Sequence, residues 1–373
     1  MAPDTTRLIY VKFLIEREYK NMQIDFHHSL IYVLSRLAGF TKEESKIISY
    51  SSQYVDDSVK NGIINFENGC RYSLMSTAHK TLDWMNLLND INFHVWVPFH
   101  FLPGNKGLEA HEIHEGEWIE KLVCQPDSHI AREVIEHCFG DSDKPYYCHE
   151  IGLIMHVYAD TWSHQRFVGI SHNINSVDLC EELPDEMDNI GEKIKSSAVS
   201  KCAPLGHGSV LEYPDYPYLE WRYTDTNGAE IINNNPETYI LAADRIFEAL
   251  CKLQKRDKGY VSGGIPKRDR ELIYAKFKKM KDPDPKFRHE NWLQSIKNGK
   301  FSFGSEEINY ISSGYGSWEY EVFKQEPIMG GSLKNEEYEA FLNSDWKKFH
   351  DSVHLYRFRL THEILPKYGI YTV

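Results

Sequence analysis

The 373-residue chain lacks any apolar run that reaches the roughly 18 residues of a membrane span. Its best N-terminal stretch, Leu8 to Ile15, is interrupted by Lys12 and followed by Glu16, Arg17 and Glu18. No small-residue cleavage site is evident there, so no secretory signal is read. Cysteine is sparse: seven residues, odd in number, scattered and without a Cys-x-x-Cys. That argues against a disulfide framework or a cysteine zinc ribbon and predicts a reducing, cytoplasmic setting. Positive charge is in deficit, with 42 Lys and Arg against 55 Asp and Glu, a net −13. Such a chain is expected neither to grip duplex nucleic acid nor to associate stably with a membrane. Gly-x-Ser-x-Gly, the Walker loop and the dinucleotide fingerprint are all missing. Glu133 and Glu136 stand at the wrong spacing from His137 for a di-iron Glu-x-x-His pair, and His111-Glu112-Ile113-His114 lacks the gap of a His-Glu-x-x-His protease helix.

What is abundant is histidine. Of 18, fourteen lie between positions 27 and 207; only His289, His350, His354 and His362 follow. Surface histidines should scatter, and imidazole is the commonest metal ligand, so this bias suggests a shared task. The pattern around them is largely helical. Apolar spacing predicts helices over 26–40, 72–88, 116–123, 130–138 and 144–167. Thr41-Lys42-Glu43-Glu44 is a capping box opening another toward Asp56 and Asp57. Pro236 opens a strong helix over 237–255, which Gly259 follows. Residues 173–221 read as irregular with an acidic helical piece at 182–197. The tail holds helices near 268–281, 336–342 and 345–365, with short strands expected somewhere in the glycine- and aromatic-rich 301–331. The expected fold class is therefore mainly α, a multi-helix bundle. Its parts would be an N-terminal extension (1–21), a helical metal-binding catalytic domain (22–258) and an irregular helical C-terminal region packed on it (259–373).

The segment from His149 to His164 carries the functional argument. At about 100° per residue, His149, His156, Asp160 and His164 fall within roughly 80° of one another around a helix. Leu153, Ile154 and Val157 between them are apolar, so part of this row is buried, and buried imidazoles and carboxylates need partners. One helix cannot surround an ion. Candidates for the remaining ligands lie upstream: Asp25, His27 and His28 in Asp25-Phe26-His27-His28, the pair Asp56 and Asp57, and His79 with Asp83 four residues on. His100, among aromatics and prolines, reads equally as structural. His172, or His207 in Pro204-Leu205-Gly206-His207-Gly208, could add a later ligand. Tyr213-Pro214-Asp215-Tyr216-Pro217-Tyr218 reads as a stiff aromatic wall, and His350 and His354 as structural.

These motifs resemble a bacterial family of uncharacterised proteins from Met22-Gln23-Ile24-Asp25-Phe26-His27-His28 through Ser52-Gln53-Tyr54-Val55-Asp56-Asp57 and Trp96-Val97-Pro98-Phe99-His100 to the 156–165 and 204–208 segments and Leu365-Pro366-Lys367-Tyr368-Gly369-Ile370. More distantly, their order is similar to zinc-dependent phospholipase C and the related single-strand nucleases, all-helical enzymes with three clustered zinc ions. That resemblance implies an early ligand at His28, a bridging aspartate at Asp56 or Asp57, ligands at His79, His156 and Asp160, and a later one at His172 or His207. His164 follows Asp160 sooner than the family's next histidine does. Those enzymes also use a processed N-terminal tryptophan, which is not found here, so two ions are expected, or a third held by Asp25 or His27.

The expected activity is metal-dependent hydrolysis of a phosphate ester in a nucleotide or other small molecule. Two or three divalent ions, zinc first and manganese or iron as alternatives, would activate water near Asp57 and Asp160, with His207 steadying the phosphoryl oxygens. The competing expectations are a metal-dependent hydrolase of a non-phosphate bond and a non-catalytic helical interaction protein with a structural metal.

Overall fold

The computed structural model describes residues 24–79, 88–183, 193–194, 205–324 and 332–372. It corrects the expectation of a mainly α bundle: about 54% is helical and 9% strand, so the architecture is mixed. The strands are six residues or shorter, too brief to compete with helical periodicity across a long window.

A buried π-helical segment, Asp25–Leu30, runs directly into α1 (Ile31–Ala38). Thr41 caps α2 (Lys42–Asp57) through the box legible in the sequence: its hydroxyl accepts the Glu44 N–H, while the Glu44 carboxylate accepts the Thr41 N–H. The short α3 (Trp96–Phe99) and α4 (His129–Cys138) lead to the central α5 (Tyr147–Ser163), which is buried along almost its whole length. At the crossing of α2 and α5, a Cβ on Gly152 would stand 2.2 Å from the Ile48 carbonyl oxygen. Glycine costs about 1 kcal/mol of helix propensity there. Its bare backbone lets the two helices close up, which sets Asp56 against His156.

Residues 62–74 form a hairpin of β1 (Gly62–Phe66) and β2 (Arg71–Leu74), so the helix expected from residue 72 does not start there. Its continuation over 80–87, with Asp83, lies outside the described residues, as does most of the acidic piece at 182–197. A second sheet pairs β3 (Val177–Glu182), β4 (Lys193–Ile194), β5 (Glu220–Asp225) and β6 (Glu230–Asn234) antiparallel, in the order β4-β3-β5-β6. Trp221 and Tyr223 turn inward from β5 onto Phe167, Tyr213, Trp96 and Phe101, forming a separate apolar cluster beside the main core. Burying a side chain of this size contributes about 1.5–3 kcal/mol. This cluster anchors the 205–219 loop.

The chain continues through α6 (Asn235–Lys255), α7 (Lys267–Lys279), α8 (Pro285–Lys297), α9 (Trp318–Phe323), α10 (Asn335–Leu342) and α11 (Asp345–Phe358). A last strand, β7 (Ser332–Leu333), pairs parallel to β1. The C-terminal segments bind the N-terminal ones intimately. Arg288 pairs with Asp25, the Trp346 indole donates to Tyr54, and the Tyr310 hydroxyl donates to Asp57. Among the described residues, no helix is long and apolar enough to cross a membrane.

Candidate metal centre

Three groups of donor atoms lie at the heart of the molecule, the first two sharing His156: His27, Asp56 and His156; His100, His156 and Asp160; and His164, His207 and Asp215. Within each group the donor atoms lie within 4.8 Å of one another. Five elements supply them. The π-helical segment gives His27, the end of α2 gives Asp56, and the turn after α3 gives His100. From α5 and its C-terminus come His156, Asp160 and His164, one turn apart, and the loop before β5 presents His207 and Asp215.

Around Asp160 the packing is tight. His100 Nδ1 lies 3.1 Å from Asp160 Oδ2, His156 Nε2 lies 3.3 Å from the same oxygen, and the two ring nitrogens are 3.3 Å apart. Asp56 Oδ1, which groups with His27 and His156, lies 3.8 Å from His100 and 3.9 Å from His156. Donors 2.0–2.2 Å from a tetrahedral ion are separated by about 3.3–3.6 Å, the spacing this group approximates. Its hydrogen bonding points the same way. His100 Nε2 lies 3.0 Å from the Thr77 carbonyl, which only an N–H can satisfy, so Nδ1 is the ring nitrogen that would be offered to an ion. Thr77 is itself tied to the end of α2, donating its hydroxyl to Val55 O at 2.5 Å. One proton can sit between only two of the crowded acceptors, whereas a cation serves them all.

His164 and His207 repeat the design. His164 Nδ1 donates to His100 O at 2.7 Å and His207 Nδ1 to Leu211 O at 2.8 Å. Their Nε2 atoms then face Asp215, at 3.9 Å and 3.6 Å. Gly206, at φ +53°, lets the loop approach: a Cβ would meet the Phe101 ring at 2.4 Å. The Phe101 ring stacks on His164 at 4.5 Å.

Several buried atoms in this region have no hydrogen-bond partner: His27 Nδ1, His156 Nδ1, His164 Nε2 and both Asp215 oxygens. His27 Nε2 stands 3.2 Å from Asp160 Oδ1, and its ring stacks on His156 at 3.9 Å. Each such orphan costs about 1–3 kcal/mol unless something binds it. Burial lowers His27 and His164 to a pKa of about 3, keeping both rings neutral and their lone pairs available. Burial also pushes Asp160 upward, but the imidazoles around it outweigh that and hold it well below the usual carboxylate range. Asp215 goes the other way: burial, then repulsion from Asp160, raises it well above the ordinary value. A cation beside it would take the place of that proton. The donor set therefore fits divalent ions.

The other expected ligands lie elsewhere. Asp25 makes a buried ion pair with Arg288 at 2.9 Å. His28, one residue beyond His27, turns away and meets His289 at 3.0 Å. His149 pairs with Asp345 at 3.1 Å, about 10 Å along α5 from His156. Asp57 accepts the Tyr310 hydroxyl at 2.6 Å. His79 is buried, its ring 6.4 Å from Trp96. His172 accepts the Ile174 N–H as a local cap, which leaves His207 as the later histidine of the cluster.

A family model for proteins of unknown function, DUF6765, matches residues 22–364. The chain belongs to this family. No curated protein matches it, and no solved structure does. The match begins at the Met22-Gln23-Ile24-Asp25-Phe26-His27-His28 pattern that opens the set of candidate ligands.

Two members of the cluster gave weak signals in the sequence. His100, among aromatics and prolines, reads equally as structural or functional, and Asp215 reads only as part of an aromatic wall. The usable clue was spacing: Asp215 lies eight residues after His207, within reach once the glycine-bounded turn folds back.

Proposed function

We propose that this protein is a metal-dependent hydrolase of a phosphate ester carried by a nucleotide or other small molecule, using at least two divalent ions, with zinc the first expectation. The observation that carries the reading is the number of donors. Three groups of three His and Asp donors converge, more than one closed ion needs, and His164, His207 and Asp215 are three protein donors that share no residue with the other two groups. Three protein donors with a position left for water is the pattern of a catalytic zinc, and four is that of a structural one. A purely structural metal would not require this separate group. Asp56, His156, Asp160, His164 and His207, all named by the resemblance to zinc-dependent phospholipase C or adjoining its His-x-x-x-Asp, share this cluster, which supports that kinship.

When bound, the ions would supply water of lowered pKa and would polarise an ester oxygen. The chain does the rest. His100, His164 and His207 spend one ring N–H each on a backbone carbonyl, so the opposite nitrogens keep a fixed direction and tautomer. Asp160 stays ionised at the centre and holds negative charge there. A cation held beside Asp215 would oppose the burial that raises its pKa and would favour the ionised carboxylate. Phe101 covers His164 and keeps bulk water off its face. The six described cysteines are free, in keeping with a cytoplasmic location.

The test is hydrolysis of a chromogenic phosphodiester and phosphomonoester panel by zinc-loaded protein, set beside carboxyl ester and amide substrates. Phosphate ester turnover that disappears in Asp215→Asn, with the fold retained, is expected. Turnover only of non-phosphate substrates would overturn the substrate class, and undiminished turnover in a folded Asp215→Asn variant would overturn the site.

A further inference from the structure

We propose that Tyr310, from the irregular C-terminal segment, is a positioning residue for the metal centre, acting through Asp57 and Gln53 on the ligand carboxylate of Asp56; this rests on the metal-centre reading above. The contacts form one continuous line. The Tyr310 hydroxyl donates to Asp57 Oδ2 at 2.6 Å. The side-chain amide of Gln53, one turn back on α2, reaches the same oxygen at 3.4 Å and Asp56 Oδ2 at 3.3 Å. An amide N–H donates, so the orientation of Gln53 is set by two carboxylates in front of it. Asp56 is thereby held by Oδ2 from behind, and its other oxygen is the one facing His100 and His156.

Each link is suited to the role. Gln53 is buried, so its amide has few alternatives to the carboxylates. The Tyr310 ring is wedged between Tyr50, 4.7 Å away, and His28, 5.3 Å away, which fixes the direction of its hydroxyl. Burial and the Asp57 charge raise the phenol well above its usual value, so it keeps its proton and donates. Asp57 thus serves as the hinge of the line. Adjacent Asp56 and Asp57 on a helix end point about 100° apart, which lets one carboxylate face the cluster while the other faces the C-terminal segment.

Partners that orient a metal ligand typically change affinity by about 10–100-fold when removed. The experiment is zinc titration of full-length wild type, Tyr310→Phe, Gln53→Met and the control Tyr50→Phe against a chromophoric chelator, with cobalt absorption spectra and apo-protein thermal unfolding alongside. Tyr50 donates to Ile311 O and accepts the Trp318 N–H, so its variant removes those two hydrogen bonds while keeping the ring that packs on Tyr310. Weakening of one zinc by roughly tenfold or more in Tyr310→Phe and Gln53→Met, with an altered cobalt spectrum, is expected. The second zinc and Tyr50→Phe should match wild type. Wild-type affinity and spectrum in Tyr310→Phe would overturn the positioning role while leaving the metal centre standing. A Tyr50→Phe loss as large as the others would reduce the effect to local packing and overturn it too. A wild type that binds no zinc would remove the metal centre and this proposal with it.

Discussion

His27 and His28 are neighbours in sequence, equally buried, and placed in opposite chemical circumstances. His28 meets His289 at 3.0 Å, a distance one shared N–H satisfies, and beside it Asp25 is matched by the Arg288 guanidinium. His27 reaches into a region where nitrogens and oxygens crowd together and several have no hydrogen-bond partner. The same division runs along α5. His149 finds Asp345, while His156, two turns later, faces His100 and Asp160 together. Burial of a histidine is therefore a poor sign of ligation in this protein. The discriminating property is the convergence of three or more donor atoms on one point, which the His28–His289 and His149–Asp345 pairs lack and a cation would use.

The largest effect that could break this comparison is expected from Asp160→Asn. It removes the carboxylate shared by His27, His100 and His156, so zinc should leave that group. Phosphate ester turnover should fall by roughly 10³-fold or more, the rate equivalent of the several kcal/mol a catalytic ion supplies. The apo-protein should also lose stability in urea near neutral pH, because the surrounding imidazoles favour the ionised Asp160 carboxylate in the folded state. Asp25→Asn should spare zinc binding and act on stability alone. It leaves Arg288 buried and uncompensated, which costs about 3–5 kcal/mol in the same unfolding experiment. Zinc stoichiometry should stay at the wild-type value.

Acid unfolding sharpens the comparison from a site far from the ligands. Burial lowers His350 to a pKa of about 3. An unfolded histidine takes up a proton near pH 6.5, so the folded state loses stability as pH falls from about 6.5 toward 3. The slope is about 1.4 kcal/mol per pH unit for each such group. His350→Gln should flatten the acid limb of the apo-protein by that amount, measured by urea unfolding at stepped pH. The smallest effect belongs to His149→Gln. Losing the contact with half-exposed Asp345 should cost about 1 kcal/mol of stability, and mass spectrometry should find the metal content unchanged.

The sequence reading was most reliable where the chemistry is local. The Thr41–Glu44 box, the 237–255 helix and the row His156, Asp160, His164 depend on spacings within a turn or two. It was weakest where a partner lies far along the chain. His149 shares the helical face of His156, yet Asp345, nearly two hundred residues away, decides what it does. Nothing local distinguishes His28 from His27 either; the π-helical path and His289 separate them. The second sheet did carry a usable signal that the helical reading passed over. Trp221 and Tyr223 alternate with polar neighbours ahead of Asn227-Gly228, which is a hairpin pattern. Helix α8 was likewise announced by Asp284 before Pro285 at its first turn.

The central question is whether the donor-rich cluster holds metal. The most direct measurement is the metal content of full-length protein purified without chelators or a histidine tag, by mass spectrometry before and after zinc is added back. At least two tightly held ions per chain are predicted, and none bound after zinc addition would contradict the account.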